Sequence, residues 1–303
     1  MKSINKVRIA FKMETNEELF SPEELEKLGY VPPPPERPHD WLNEWRIEER
    51  LSRWQDTSNG FQYRFAKLRH RELPNRIARG KEFDLGMLKH ERERVNDQLR
   101  RHPETCDRVG RHPNVAENIT ATLDLSGSHW WVIDRWVEGT TLAERLLEGP
   151  LRRDEAATVM GGIAEGLAAL HRAGVVRREL SPRFVILRAE DGAPVLTDFE
   201  LAKILEGAPT VSKREAWPDD PYRALEVEAG GDVNEQADLY SWGRILAHVV
   251  SGMKLAKGRE AETLAKVNLP KPVLDIVTAC LRKQRSERPP NIQAVLKAIQ
   301  SWK

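Results

Sequence analysis

The sequence predicts an α+β protein of two lobes: a small antiparallel sheet carrying one main helix, then a larger, mostly helical half. Three observations carry this. Apolar and polar residues alternate in "WRIEERL", "FQYRFAKLRH" and "RIARGKEFDL" between residues 45 and 85, the period of a half-buried strand. After Gly139 the pattern becomes that of buried helices, in "RDEAATVMGGIAEGLAALHRAG" and "EQADLYSWGRILAHVVSG". The 303 residues, 40% hydrophobic and 31% charged, suffice for one large domain or two lobes with a sizeable core. A sheet lobe followed by a helical lobe implies a cleft between them.

The elements follow in order. A short strand, Val7 to Phe11, precedes a helix in "SPEELEKLGY". There Ser21 is the N-cap, Pro22 enters the first turn, Glu23 and Glu24 lie at the positive end and Gly29 stops it. "VPPPPERP" is a stiff extended linker. Residues 1–44 thus form an N-terminal extension, either a tail packing on the main domain or the end of a preceding domain. Residues 45–138 make the small lobe and 139–303 the large one. In the small lobe "RELPN" turns between the second and third strands. "MLKHERERVNDQLRR" is a charged helix that Pro103 is expected to break or restart. "NVAENITATLDLSGSHWWVIDRWVEG" is two strands about the Ser126-Gly127 turn, with Trp130 and Trp131 as sheet packing. In the large lobe "TLAERLLEG" is a short helix, the long helix ends at Gly174, and "AKGREAETLAK" is a solvated helix.

Composition excludes several classes. The net charge is +1 with both signs mixed along the chain, which points to neither nucleic acid nor a membrane surface. Cys106 and Cys280 match no metal spacing and no disulfide framework, so a reduced, cytoplasmic setting is expected. The first residues are charged throughout, so no signal peptide is expected, and no apolar run approaches membrane-spanning length.

"VVRRELSPRFVIL" (175–187) sets a polar, arginine-rich turn between two apolar runs, the pattern of an active-site loop. The longer stretch "HRAGVVRRELSPRFVILRAEDGAPVLTDFELAKIL" resembles the catalytic core of the protein kinases. That family's pattern runs His-Arg-Asp-Leu-Lys-Pro-x-Asn and then Asp-Phe-Gly. "HPNV" (112–115) resembles the turn after the small-lobe helix, and "VIDRWVEGTTL" (132–142) the hinge. "YRALE" (222–226) stands at the Ala-Pro-Glu motif, "DLYSWG" (238–243) at the Asp-x-x-x-x-Gly helix, and "CLRKQRSERPP" (280–290) at the last helical motif. The resemblance covers about residues 45–300. It implies a bilobal kinase-like fold, a buried Glu226–Arg288 ion pair, and Asp238 accepting backbone N–H groups at Arg177–Arg178.

Phosphoryl transfer needs positioned phosphates, metal held by oxygens, and a carboxylate near the attacking hydroxyl. By resemblance Glu179 stands at the catalytic aspartate. It is one methylene longer, a displacement that can cost on the order of a hundredfold. Asp198 is the main metal carboxylate, and Glu200 takes the place of the motif glycine, either joining a metal or restricting the backbone. Phe184 replaces the metal-binding asparagine and offers no oxygen. Arg178 would pair with a phosphate on Thr210 or Ser212. The phosphate-covering loop, "LSRWQDTSNG", keeps only Gly60 among the usual glycines. Counting from Gly60 puts Gly80 on the family's lysine, so Lys81 serves if a bulge at Gly80 shifts it, and Lys67 is its rival. Glu91, Glu93 and Glu104 compete to be the helix partner of that lysine. The backbone of Arg135 and Val137 would hold adenine, with Ile186 as the pocket floor. Asp134 lies at the back of that pocket and needs a partner. One of Arg177, Arg178 and Arg183 pairing with Asp134 or Glu200 would lock the cleft without nucleotide.

Losses of this number add, since general-base and electrostatic contributions are each worth about a hundredfold or more. The expected function is a pseudokinase, a regulatory or interaction module with weak or no binding of ATP and Mg2+. The alternative is an atypical active Ser/Thr kinase with Glu179 as base, Asp198 and Glu200 on metal, and Lys81 on the phosphates. Either way the other party is a protein, as partner or as substrate. Candidate surfaces are the helix at 88–101, Trp217 and the N-terminal extension.

Overall fold

Alternation between residues 45 and 84 becomes one antiparallel sheet in the computed structural model. The structure describes residues 44–56, 62–85, 92–124, 127–200, 202–205, 220–230, 233–254 and 258–302. All of these belong to one compact unit within residues 41–303. The expectations for residues 1–43, Gly60, Glu91, Ser126, Thr210, Ser212 and Trp217 lie outside the described residues, as does the side chain of Glu93.

The sheet comprises β1 (Trp45–Arg50), β2 (Gln55–Asp56), β3 (Gln62–His70), β4 (Ile77–Asp84), β5 (Asn118–Leu123) and β6 (His129–Arg135). Its order is β1-β3-β4-β6-β5, with β2 paired to β3. Register is continuous from β3 through β4 to β6, so residues opposite one another share a face. One face carries the rows Lys67–Arg79–Asp134, Phe65–Lys81–Val132 and Tyr63–Phe83–Trp130. The other carries Ala66, Leu68, Ala78, Gly80, Trp131 and Ile133, which pack with Trp45. Trp130 and Trp131 therefore do pack the sheet, on opposite faces. Gly80 has no room for a side chain: a Cβ there would lie 2.7 Å from Leu68 Cδ1 and 3.0 Å from Trp131 Cζ3.

The helix described in this lobe, α1 (Arg92–Val109), runs unbroken through Pro103, against the expected break. Proline removes one hydrogen bond from the ladder. Burial of Leu99, His102, Thr105 and Cys106 on one face outweighs that loss.

The larger lobe begins with β7 (Gly139–Thr141) and α2 (Leu142–Arg145), whose Thr141 and Glu144 form a capping box. The central helix α3 (Arg153–Arg172) ends at Gly174, which takes φ 69°. Next come β8 (Val175–Val176), β9 (Val185–Arg188), β10 (Pro194–Leu196) and β11 (Lys203–Ile204). The remaining helices are α4 (Leu225–Glu228), α5 (Gln236–Ser251), α6 (Glu260–Leu264), α7 (Lys271–Cys280) and α8 (Ile292–Ile299). The main core gathers Met160, Ile163, Leu167, Trp242, Ile245, Val277 and Val295 from α3, α5, α7 and α8. The stretch expected to be a solvated helix is partly buried: Glu260 and Leu264 face inward, and Glu260 pairs with the buried Arg244. Both cysteines are free and buried. Among the described residues no helix is long and apolar enough to cross a membrane.

Candidate active site

The turn between β8 and β9 is built from below. Asp238, in the first turn of α5, is fully buried and accepts hydrogen bonds from the backbone N–H of Arg177 and of Arg178, both at 2.8 Å. It also lies 2.9 Å from His171 Nε2. This carboxylate holds Arg178 at φ 63°, a left-handed conformation costly for a side-chain-bearing residue. Arg177 is buried beneath the turn. Its Nη2 donates to the Thr197 carbonyl at 2.8 Å, and its guanidinium lies 5.1 Å from the Phe199 ring and 5.4 Å from the Phe184 ring. Burial pushes its pKa down, against the pull of Glu179 and Asp198. Phe184 is buried, and its carbonyl accepts the Thr197 N–H at 3.0 Å.

Glu179 is buried and already engaged. Its Oε1 lies 3.1 Å from Arg183 Nη2 and 3.3 Å from Arg223 Nη2. Burial raises its pKa, and Arg183, Arg177 and Arg223 partly offset that rise.

Asp198 is the other non-glycine residue with positive φ among the described residues, at 61°. Both its oxygens face cations from β4. Arg79 Nη2 is 3.0 Å from Oδ2 and Lys81 Nζ is 2.7 Å from Oδ1. Thr197 Oγ1 donates to Oδ2 at 2.5 Å. Lys81 Nζ also reaches Glu200 Oε1 at 2.9 Å. Burial opposes charging of Asp198, but Arg79, Lys81 and the hydrogen bonds hold its carboxyl well below the usual range. Burial likewise pushes Lys81 down, and Asp198 with Glu200 more than reverses it.

Lys81 reaches this centre without a bulge at Gly80. The register across β4 is continuous, and simple alternation puts Arg79 and Lys81 on the cleft face and Gly80 behind. Counting from Gly60 is one residue off. Lys67 shares the face, but its Nζ sits 5.0 Å from the Trp136 ring instead of at Asp198. Glu104 pairs with Arg101 and Arg108 on α1, and among the described residues the carboxylates that meet Lys81 are Asp198 and Glu200.

Asp134 is buried and finds its partner in α1. His102 Nε2 lies 2.9 Å from its Oδ1, and Asn118 Nδ2 donates to the same atom at 2.9 Å. The Phe199 N–H donates to His102 Nδ1 at 3.1 Å, and the imidazole stacks on Phe199 at 5.3 Å. Nδ1 is thus an acceptor and Nε2–H faces the carboxylate. Burial opposes a charged imidazole, while Asp134 pulls its pKa well above the ordinary value. The Phe199 N–H held on Nδ1 works against that pull, since a second proton there would have to break the bond. Of the arginines expected as partners of Asp134 or Glu200, Arg177 and Arg183 instead point to Thr197 and Glu179.

A family model described as "Protein kinase domain" matches residues 75–301. This chain belongs to the protein kinase family. It is 30% identical over 191 residues to the serine/threonine-protein kinase PkaA of Streptomyces coelicolor, covering 59% of this chain and 35% of that relative. It is 30% identical over 213 residues to serine/threonine-protein kinase pkn2 of Myxococcus xanthus, with 62% and 25% covered. It is 28% identical over 199 residues to the probable serine/threonine-protein kinase PkwA of Thermomonospora curvata, with 62% and 26% covered. The chain thus spans between a quarter and about a third of the length of these curated relatives.

Set against the parts a protein kinase uses, the donor set fits a divalent ion poorly. Both oxygens of Asp198 are held by the chain's own cations, Glu200 is bound to Lys81, and the Phe184 ring presents no oxygen. Among the described residues no three His, Cys, Asp or Glu side chains converge as a metal shell. The residues expected at the hinge lie at the end of β6 and just beyond it. Arg135 closes β6, its N–H donating to the Glu117 carbonyl at 2.8 Å, and Val137 packs on the large-lobe core. Ile186 is half-buried on β9, paired to Thr141 and Val195. Sequence reasoning missed Arg79 and His102. The Arg79-x-Lys81 spacing on a strand was the available signal for the first, and His102 carried none.

Proposed function

We propose that this kinase-family chain is a pseudokinase, a regulatory or interaction module acting on a protein partner, with weak, metal-independent nucleotide binding at most. One observation carries the reading: Arg79 and Lys81 stand on Asp198 where a metal ion's charge belongs. The four charges of Arg79, Lys81, Asp198 and Glu200 already balance, so a divalent ion must displace a buried pair to enter. The base position points the same way, because Glu179 is committed to Arg183 and Arg223. A reduced, cytoplasmic setting suits the two buried thiols.

The relatives' names favour a second reading, transfer of the ATP γ-phosphate to a protein hydroxyl, with Glu179 as base and Asp198 and Glu200 toward metal. It requires Arg79 and Lys81 to leave Asp198 together. The two readings separate in a thermal-shift assay with ATP, with and without Mg2+ or Mn2+, run beside autophosphorylation. The pseudokinase reading expects no metal-dependent shift and no phosphate incorporation. Metal-dependent stabilisation with incorporation that Asp198→Ala abolishes would establish the second reading instead.

A further inference from the structure

Two cations meet on Asp198, and their positions on the sheet differ in consequence. Arg79 lies in the row Lys67–Arg79–Asp134, directly before the hinge residue Arg135. Its side chain is 14% exposed, its guanidinium carbon sits 4.1 Å from the Phe65 ring, and its Nη2 ends 3.0 Å from Asp198. One side chain therefore runs from the hinge-side row to the metal carboxylate. A kinase nucleotide must lie along that line, with its base at the hinge backbone and its phosphates by the metal. Lys81 belongs to the next row, Phe65–Lys81–Val132, and reaches Asp198 Oδ1 without crossing the base side.

We propose that Arg79 is the specificity-determining residue that bars nucleotide from this cleft, occupying the base-to-phosphate path and holding the Asp198 oxygen a metal would need. This rests on the pseudokinase reading above. Charge points the same way as shape. With Arg79 present, two cations face the two carboxylates Asp198 and Glu200. Without it, Lys81 alone faces both, and a divalent ion becomes a favourable addition. The Phe65 ring, relieved of the guanidinium, becomes an apolar surface open to a base.

The test compares wild type, Arg79→Ala and Arg79→Met for binding of ATP, by thermal shift and titration calorimetry, with Mg2+ and with chelator. Arg79→Ala is expected to gain Mg2+-dependent ATP affinity of at least about tenfold over wild type, since a buried ion pair no longer has to be broken first. Arg79→Met, which keeps bulk and loses charge, is expected to gain less. If Arg79→Ala does not fold, the gain of Arg79→Met over wild type decides. A folded Arg79→Ala that binds no better than wild type overturns the assignment of Arg79 and leaves the pseudokinase reading standing. Wild type that itself binds Mg2+·ATP overturns both.

Discussion

If Lys81 is a structural cation rather than a phosphate ligand, removing its charge must destabilise the protein in the absence of any nucleotide. Lys81→Met keeps the stem among Tyr63, Phe65 and Phe83, whose rings lie 4.7, 5.5 and 5.0 Å from Nζ. It deprives Asp198 Oδ1 and Glu200 Oε1 of their cation. The side chains involved are 9%, 2% and 12% exposed, so solvent screening offsets little. Breaking a buried pair costs about 3–5 kcal/mol. Arg79 and Thr197 still hold Oδ2, which places the loss near the lower end, about 3 kcal/mol. For a domain of this size that is a fall in Tm of roughly 6–12 °C. Circular-dichroism melts at pH 7 read it directly, with Lys67→Met as comparison. Lys67 has a ring contact with Trp136, worth about 1 kcal/mol or less, and a charge interaction with the exposed Glu48. A Lys81→Met protein melting within about 2 °C of wild type refutes the reasoning, because the ion pairs would then contribute nothing to the fold.

Three further outcomes follow from the same geometry. Asp238→Asn retains one acceptor for three donors, so it should cost about 2–4 kcal/mol in urea unfolding. Hydrogen exchange of the Arg177 and Arg178 amides should speed up with it, whereas retained protection would contradict Asp238's role in ordering the turn. Arg288→Ala removes the bidentate pair to Glu226 (2.5 and 3.1 Å) and bonds to the carbonyls of Arg282, Lys283 and Gln236. A loss of about 3–5 kcal/mol is expected in the same assay, and a loss under about 1 kcal/mol would make the pair incidental. For pH, Asp198 has a folded pKa held well below 3.8. Its contribution is therefore fully present above the unfolded value and is lost as pH falls through the folded one. Urea midpoints measured downward from pH 5 should fall less steeply for Asp198→Asn than for wild type, and equal slopes would mean the carboxylate is not stabilised by its partners.

The strands were legible because alternation reports a half-buried sheet directly, and continuous register carried it through β3, β4 and β6. The Asp238 bonds and the Glu226–Arg288 pair were legible because fixed motifs bring those residues together. The direction of Lys81 was not, since a count through a loop can slip by one, and one residue of slip turns every side chain to the other face. Arg79 escaped for the same reason: in the wrong register it faces away from the cleft. His102 escaped because only tertiary packing of α1 brings it beside Asp134 and Phe199. Pro103 misled because burial of one helix face outweighs a single lost backbone bond.

The central claim is that the chain's own cations take the place of a metal ion on Asp198. A Mn2+ titration followed by electron paramagnetic resonance, with ATP present, on wild type and Asp198→Asn, addresses it most directly. The free Mn2+ signal should fall only as far as ATP in solution accounts for, identically for both proteins. A protein-dependent loss of signal in wild type that Asp198→Asn abolishes would contradict the account.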